Sequence, residues 1–249
     1  EITSKLSAPG VTPVVKGKAK PDGVTITFSA AAAPLDAIGK PDAKGVSLSP
    51  TQPGSWTWSN DKALVFQTTA DWPASPDYKV TLDNSVLPKE SKWEFTTAAM
   101  TPKLASLEFY TDPKEPAVHQ IVAEITTTHP VKREEIEKRV SLEVLGKTPI
   151  FDWQGKPPAS LFNVTEGKDQ RQFWLRSARI AVPAKEDYVR FTLGAGLMSL
   201  TGGKAADKPL VDKVRVPDVF SGFSISEVKT EIVRTEEGEP EQFLFVDTS

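Results

Sequence analysis

SWTWSNDKALVFQTTADWPASPDYKVTL, Ser55–Leu82, is the stretch on which the fold turns. It holds three tryptophans and neither histidine nor cysteine. The runs SWTWS (Ser55–Ser59), ALVFQT (Ala63–Thr68) and YKVTL (Tyr78–Leu82) alternate apolar and polar residues, the period of a half-buried strand. SNDK and WPASPD fall between them and carry turn chemistry. Reading outward adds VTITFSA (Val24–Ala30), VSLSP (Val46–Pro50) and KWEFTT (Lys92–Thr97). Short strands punctuated by Gly, Pro, Asn and Asp predict an antiparallel β-sandwich.

In such a sandwich one face of each strand fills the core, and large rings supply much of that area. Trp56 and Trp58 are two apart and therefore share a face, as do Trp93 and Phe95. Further along, Phe173 and Leu175 share one face and Trp174 takes the other. Most of the tryptophans are therefore expected to pack inside the protein.

The second hundred residues repeat the first. The segment after Val24 has a strand, Pro34, Ile38 and Val46–Leu48; the segment after Val122 has a strand, Pro130, Ile136 and Val140–Leu142. Pro73 precedes Tyr78 by five positions, and Pro183 precedes Tyr188 by five. Each tyrosine follows an aspartate and opens a strand, and KWEFTT answers KVRVPD as the closing strand. Val182 stands where Trp72 stands, which reads as packing rather than a stacking platform. The same features in the same order predict tandem domains of about 100 residues each. The expected divisions are 1–100 and 101–218, with 219–249 as the first strands of a further domain in a longer array. That tail, Phe223–Ser249, echoes Ala105–Thr127: apolar strand, acidic proline-bearing turn, apolar strand.

Bulk properties exclude several classes. Hydrophobic residues make up 39% and charged residues 25% of the chain, enough for a packed core. The formal net charge of −3 argues against a general nucleic-acid binder, which needs a basic face. No apolar run reaches the roughly 18–20 residues of a membrane helix. The absence of cysteine rules out thiol catalysis and thiolate metal sites in this stretch.

The chain's candidate chemistry is sparse. His119 and His129 have no carboxylate at metal-ligand spacing with both, so no metal site, cofactor site or catalytic residue is predicted. No H-E-x-x-H, G-x-S-x-G, G-x-G-x-x-G or P-loop pattern occurs. VKREEIEKR (Val131–Arg139) predicts a short solvated helix with Pro130 at its first position and His129 exposed or capping beside it. GLMSLTGG (Gly196–Gly203) reads as a flexible turn, and EEGEPE (Glu236–Glu241) as an acidic turn without calcium-site spacing. Asn163–Thr165 matches a glycosylation sequon of the kind that arises by chance.

The motifs Phe28–Ser29, Pro34, Leu48–Pro50, Gly54, Trp56, Trp58, Leu64 to Phe66 and Trp72–Leu82 resemble the N-terminal macroglobulin-like domains of bacterial α2-macroglobulins. The resemblance implies an all-β, tandem macroglobulin-like or Ig-like fold with few helical turns. It also implies a periplasmic protein that traps proteases and is held to the inner membrane by an N-terminal lipid outside this chain. Its partners would be the trapped proteases and an envelope protein. The bait segment and any thioester would lie outside this stretch. The alternative is a tandem Ig-like module of a bacterial adhesin or carbohydrate-binding surface protein, since such modules share parts of the pattern.

Overall fold

In the computed structural model the described residues are 2–11, 14–15, 18–19, 21–147, 150–151, 161–221, 225–234, 238 and 240–248. The fold is all-β and antiparallel throughout its named strand pairs. The first strands are β1 (Ser4–Ser7), β2 (Val14–Val15), β3 (Lys18–Ala19), β4 (Val24–Phe28), β5 (Val46–Ser49), β6 (Gly54–Asn60), β7 (Ala63–Thr68), β8 (Asp77–Leu82) and β9 (Ser91–Thr96). They form sheets in the orders β1-β4-β7-β6 and β5-β8-β9, with β2 and β3 paired apart. The next strands are β10 (Pro102–Thr111), β11 (His119–Thr127), β12 (Val140–Val144), β13 (Phe162–Glu166), β14 (Gln172–Ser177), β15 (Asp187–Leu193) and β16 (Leu210–Val216). Their orders are β10-β11-β14-β13 and β12-β15-β16. Matching β1 with β10, β4 with β11, β5 with β12 and so on, the two sets have one strand order.

Alternation is the physical cause of these layers. Val24, Ile26 and Phe28 point inward from β4 while Thr27 faces water. Trp56 and Trp58 from β6 and Leu64 and Phe66 from β7 meet them. Trp72 closes this aromatic core, edge-on to Tyr78 at 5.1 Å and to Phe95 at 6.0 Å between ring centroids. Its indole N–H donates to the Asp22 carbonyl at 2.8 Å. The later strands enclose a more aliphatic interior: Ile125, Ile136, Leu175, Leu193 and Leu197, with Phe173 and Phe191. Ile121, Ile180, Val189 and Val216 continue it toward one end.

The predicted helix exists as α1 (Arg133–Glu137), one turn that buries Ile136. Its outer side carries an i,i+4 pair, Arg133 to Glu137 at 3.3 Å. It starts later than the sequence suggests: Lys132 is the N-cap and Pro130 stays outside. Pro130 instead offers its carbonyl to the Leu200 N–H at 2.8 Å, a use that places it in the loop packing rather than in the first helical turn.

The tail forms β17 (Ile225–Arg234) and β18 (Pro240–Thr248), which among the described residues make a two-stranded sheet. Half of the predicted acidic turn between them, residues 236, 237 and 239, lies outside the described residues.

Candidate functional site

Among the described residues no group of three or more His, Asp or Glu side chains could hold a metal ion. No described helix is long and apolar enough to cross a membrane. His119 and His129 sit at opposite ends of β11. At about 3.3 Å per residue they are roughly 30 Å apart along the strand. His119 stacks on Phe109 at 5.3 Å, and its Nδ1 lies 3.0 Å from the Thr111 hydroxyl. A surface hollow of about 580 Å³ is lined in part by Pro34, Asp36, Lys40, Asp42, Trp58 and Ser85. No histidine lines it.

Among the described residues a dense set of polar contacts lies where Asp71–Ala74 meets Ser199–Lys204. Here the loop between β7 and β8 meets the loop between β15 and β16. Trp72 is anchored among the first aromatics, and the next residues turn away. The Thr97 hydroxyl donates to the Pro73 carbonyl at 2.6 Å, and the Ser75 N–H donates to Ala98 O at 3.1 Å. Ala74 is fully buried against the interior formed by the later strands, as is Met100. Its N–H donates to Gly202 O at 3.0 Å, and its carbonyl accepts from the Lys204 N–H at 2.7 Å. The pair Ala74 and Gly203 thus forms a parallel bridge. A Cβ on Gly203 would lie 2.1 Å from the Ala74 oxygen, and its φ of +93° is one that side-chain-bearing residues avoid. The stretch that read as a flexible glycine turn is therefore a fixed part of the seam, and its glycine is there for close approach.

Side chains reinforce this seam. The Thr201 hydroxyl donates to Trp72 O at 3.2 Å, while Ser199 and Thr201 share a 2.7 Å hydroxyl contact. Arg171 Nη2 meets Asp71 Oδ2 at 3.3 Å, and both side chains are largely shielded. Gln52 steadies the approach to Asp71, since its amide donates to the carbonyls of Ala70 and Asp71 at 3.2 Å each.

His129 lies beneath, and here the sequence reading fails: it is buried, neither exposed nor capping. Burial pulls its pKa below the ordinary histidine value, the nearby Arg171 guanidinium lowers it further, and Asp71 opposes. The Thr128 hydroxyl donates to Ala99 O at 2.9 Å, so it must accept from His129 Nδ1 at 2.9 Å. With the Thr128 proton directed at Ala99 O, the Nδ1 proton of the ring is the one that faces Thr128. Nothing in the sequence pairs Asp71 with Arg171, a hundred positions away; the adjacent Gly202 and Gly203 are the only local hint of a tight approach.

Two further surfaces stand out. On the β17–β18 hairpin Val228, Ile232, Leu244 and Val246 share one exposed face. Phe243 and Phe245 share the other, 6.4 Å apart between centroids. On the outer face of β10-β11-β14-β13, Trp174 stands in solvent as its parity predicts.

Comparison with known proteins adds what the chain is similar to. No protein-family model matches the chain. An alpha-2-macroglobulin of Pasteurella multocida is 27% identical over 90% of this chain. An alpha-2-macroglobulin homolog of Yersinia pestis is 24% identical over all of it. The chain spans about 12% of the length of each of these curated relatives. The resemblance read from the tryptophan and proline motifs therefore extends over the whole chain. A solved structure of titin domains z1z2 in complex with telethonin covers 86% of this chain at 13% identity, with a TM-score of 0.28, too low to carry an argument.

Proposed function

We propose that this chain, a relative of the bacterial alpha-2-macroglobulins, is part of a protease-trapping inhibitor and serves in it as a spacer arm. The observation that carries this reading is the likeness to two alpha-2-macroglobulins across the full chain. The matched strand orders support reading residues 1–100 and 101–218 as successive macroglobulin-like units. The main-chain seam at Ala74 and Gly203 would hold them at a set angle.

The hairpin fits the same plan. β17 and β18 have the lengths of β10 and β11, ten and nine residues, and both pairs carry a register shift near the start of the first strand. Yet the apolar side chains of the hairpin are exposed where those of β11 are buried. A lone two-stranded hairpin is marginal in water. We assign it to a third unit whose other strands would cover it.

In this reading the protein acts in the periplasm, tethered by a lipid at its N-terminus. The attacking protease is its partner, and an envelope protein docks on the arm. The trap needs no catalytic group of its own in this arm. The test uses both forms. The full-length protein, mixed with trypsin, should shield trypsin from a large protein substrate while leaving a small peptide substrate accessible; this chain alone should do neither. Stoichiometric protection by this chain alone, or none by the full-length protein, overturns the reading.

A further inference from the structure

Trp174 is 41% exposed, whereas Trp56, Trp58 and Trp72 are buried and Trp93 is half-buried. Its surroundings are polar and ordered by the ladder. Across the outer face of the sheet one row reads Ser106, Glu124, Trp174, Thr165, and the next reads Glu108, Val122, Arg176, Asn163. Tyr110, also exposed, follows Glu108 on β10.

Three shallow depressions cross this face. The first, about 240 Å³, is lined by Ser106, Tyr110, Val122, Glu124, Trp174 and Arg176. The second, about 300 Å³, is lined by Asn163, Thr165, Trp174 and Arg176. The third, about 410 Å³, includes Gln120, Phe162, Asn163, Arg176 and Ser177. Neighbouring depressions share Trp174 with Arg176, then Arg176 with Asn163, so they join into one track. Arg176 forms no ion pair among the described residues, and Glu124 accepts from the Gln172 amide at 2.5 Å.

We propose that this track binds an uncharged glycan, one pyranose ring lying on Trp174 and its hydroxyls meeting Arg176, Asn163 and Thr165. A pyranose is amphipathic: C–H groups form an apolar face and hydroxyls ring its edge. An indole flanked by a guanidinium fork, an amide and a hydroxyl answers both parts. The track holds one cation, Arg176, and one carboxylate, Glu124, with Glu108 at its margin. That near balance suits a neutral ligand and disfavours a polyanion. An extended peptide would use unpaired main-chain groups at a sheet edge. Here the backbone of β11 and β14 is already spent in the ladder on both sides. Three joined depressions give room for a chain of several sugars rather than a single one.

The test titrates the intact chain with cellohexaose, chitohexaose and maltohexaose, following the Trp174 indole N–H by NMR and the heat by calorimetry. At least one hexasaccharide should shift Trp174 saturably. Trp174→Ala should weaken that binding about tenfold, the loss expected when one aromatic contact goes. Trp174→Phe should retain part of it, and Arg176→Gln should cost less than Trp174→Ala. These side chains face water, so circular dichroism should show every variant folded. Three outcomes would overturn the assignment: no hexasaccharide moving Trp174 at millimolar concentration, binding untouched by Trp174→Ala, or a neutral strand-forming peptide occupying the track in place of the sugars.

Discussion

Tyr78 and Tyr188 open equivalent strands after equivalent aspartates, yet one is 3% exposed and the other 37%. The cause is length. β8 has six residues and β15 has seven. Val46 faces Leu82 in one half and Val140 faces Leu193 in the other, so the strands align at their shared Thr-Leu ends. Counting back, Tyr78 falls level with Val189, and Tyr188 is one residue out of step. A single-residue offset turns a side chain to the opposite face. Tyr78 therefore stacks on Phe95 at 5.4 Å inside the first core. Tyr188 lies outside, donating to Glu186 at 3.0 Å, with the Lys213 ammonium 5.5 Å from its ring centre. Both phenols have a raised pKa, Tyr78 through burial and Tyr188 through the hydrogen bond to Glu186 and that carboxylate's charge. One strand order thus accommodates an aromatic interior in one half and an aliphatic interior in the other.

Core truncation tests most sharply whether the two interiors are independent. Leu64→Ala and Leu175→Ala, each at a fully buried site, should each cost about 3 kcal/mol. Calorimetry should show each variant lowering a different transition. A single transition shifted equally by both would mean that the interiors melt as one. Next in size is the seam. Gly203→Val places a Cβ against the Ala74 carbonyl at a positive φ and should cost about 1–3 kcal/mol by chemical denaturation. Small-angle scattering should then report a wider spread of shapes, while Gly194→Ala, at a φ open to side chains and with its nearest neighbour atom 3.6 Å from the new Cβ, should keep the parental profile.

The tyrosine pair gives a smaller contrast. Tyr78→Phe removes a buried hydrogen bond to Gln52, 3.3 Å long, and should cost about 1 kcal/mol. Tyr188→Phe should fall within about 0.5 kcal/mol of the parent in urea. Because the fold disfavours the Tyr78 phenolate, the unfolded chain releases that proton first. Stability should therefore fall as pH rises past the ordinary tyrosine value of about 10, and Tyr78→Phe should remove that share of the slope.

The smallest effect belongs to His129. Its folded pKa lies below the ordinary value, so the unfolded state takes the proton first as pH drops below about 6.5. The parent should lose stability on that acid limb. His129→Gln should flatten it, measured as urea midpoints from neutral to pH 5.

Much of this was legible in the sequence, for identifiable reasons. Period-two alternation and turn residues placed β4 to β9, and Trp56, Trp58 and Trp72 are buried as expected. The outward Trp174 followed from parity alone. What escaped were features set by tertiary neighbours. His129 looks like a loop residue in sequence, and Thr128 and Arg171 make it an interior one. The apolar strand read from Ala105 is part of β10, and the bulge between Leu104 and Ser106, which resets its alternation, has no signature in the letters. The Tyr188 offset is invisible where matching letters hide a mismatched strand length.

The contact between Ala74 and Gly203 is built from peptide groups and one missing methyl position. Its main-chain hydrogen bonds do not depend on which side chains flank them, although Thr201 and the Arg171–Asp71 pair add to the hold. Exchanges at the flanking positions leave those peptide hydrogen bonds available, so long as a glycine stays at 203. Two relatives could differ at three of every four residues and still share that elbow.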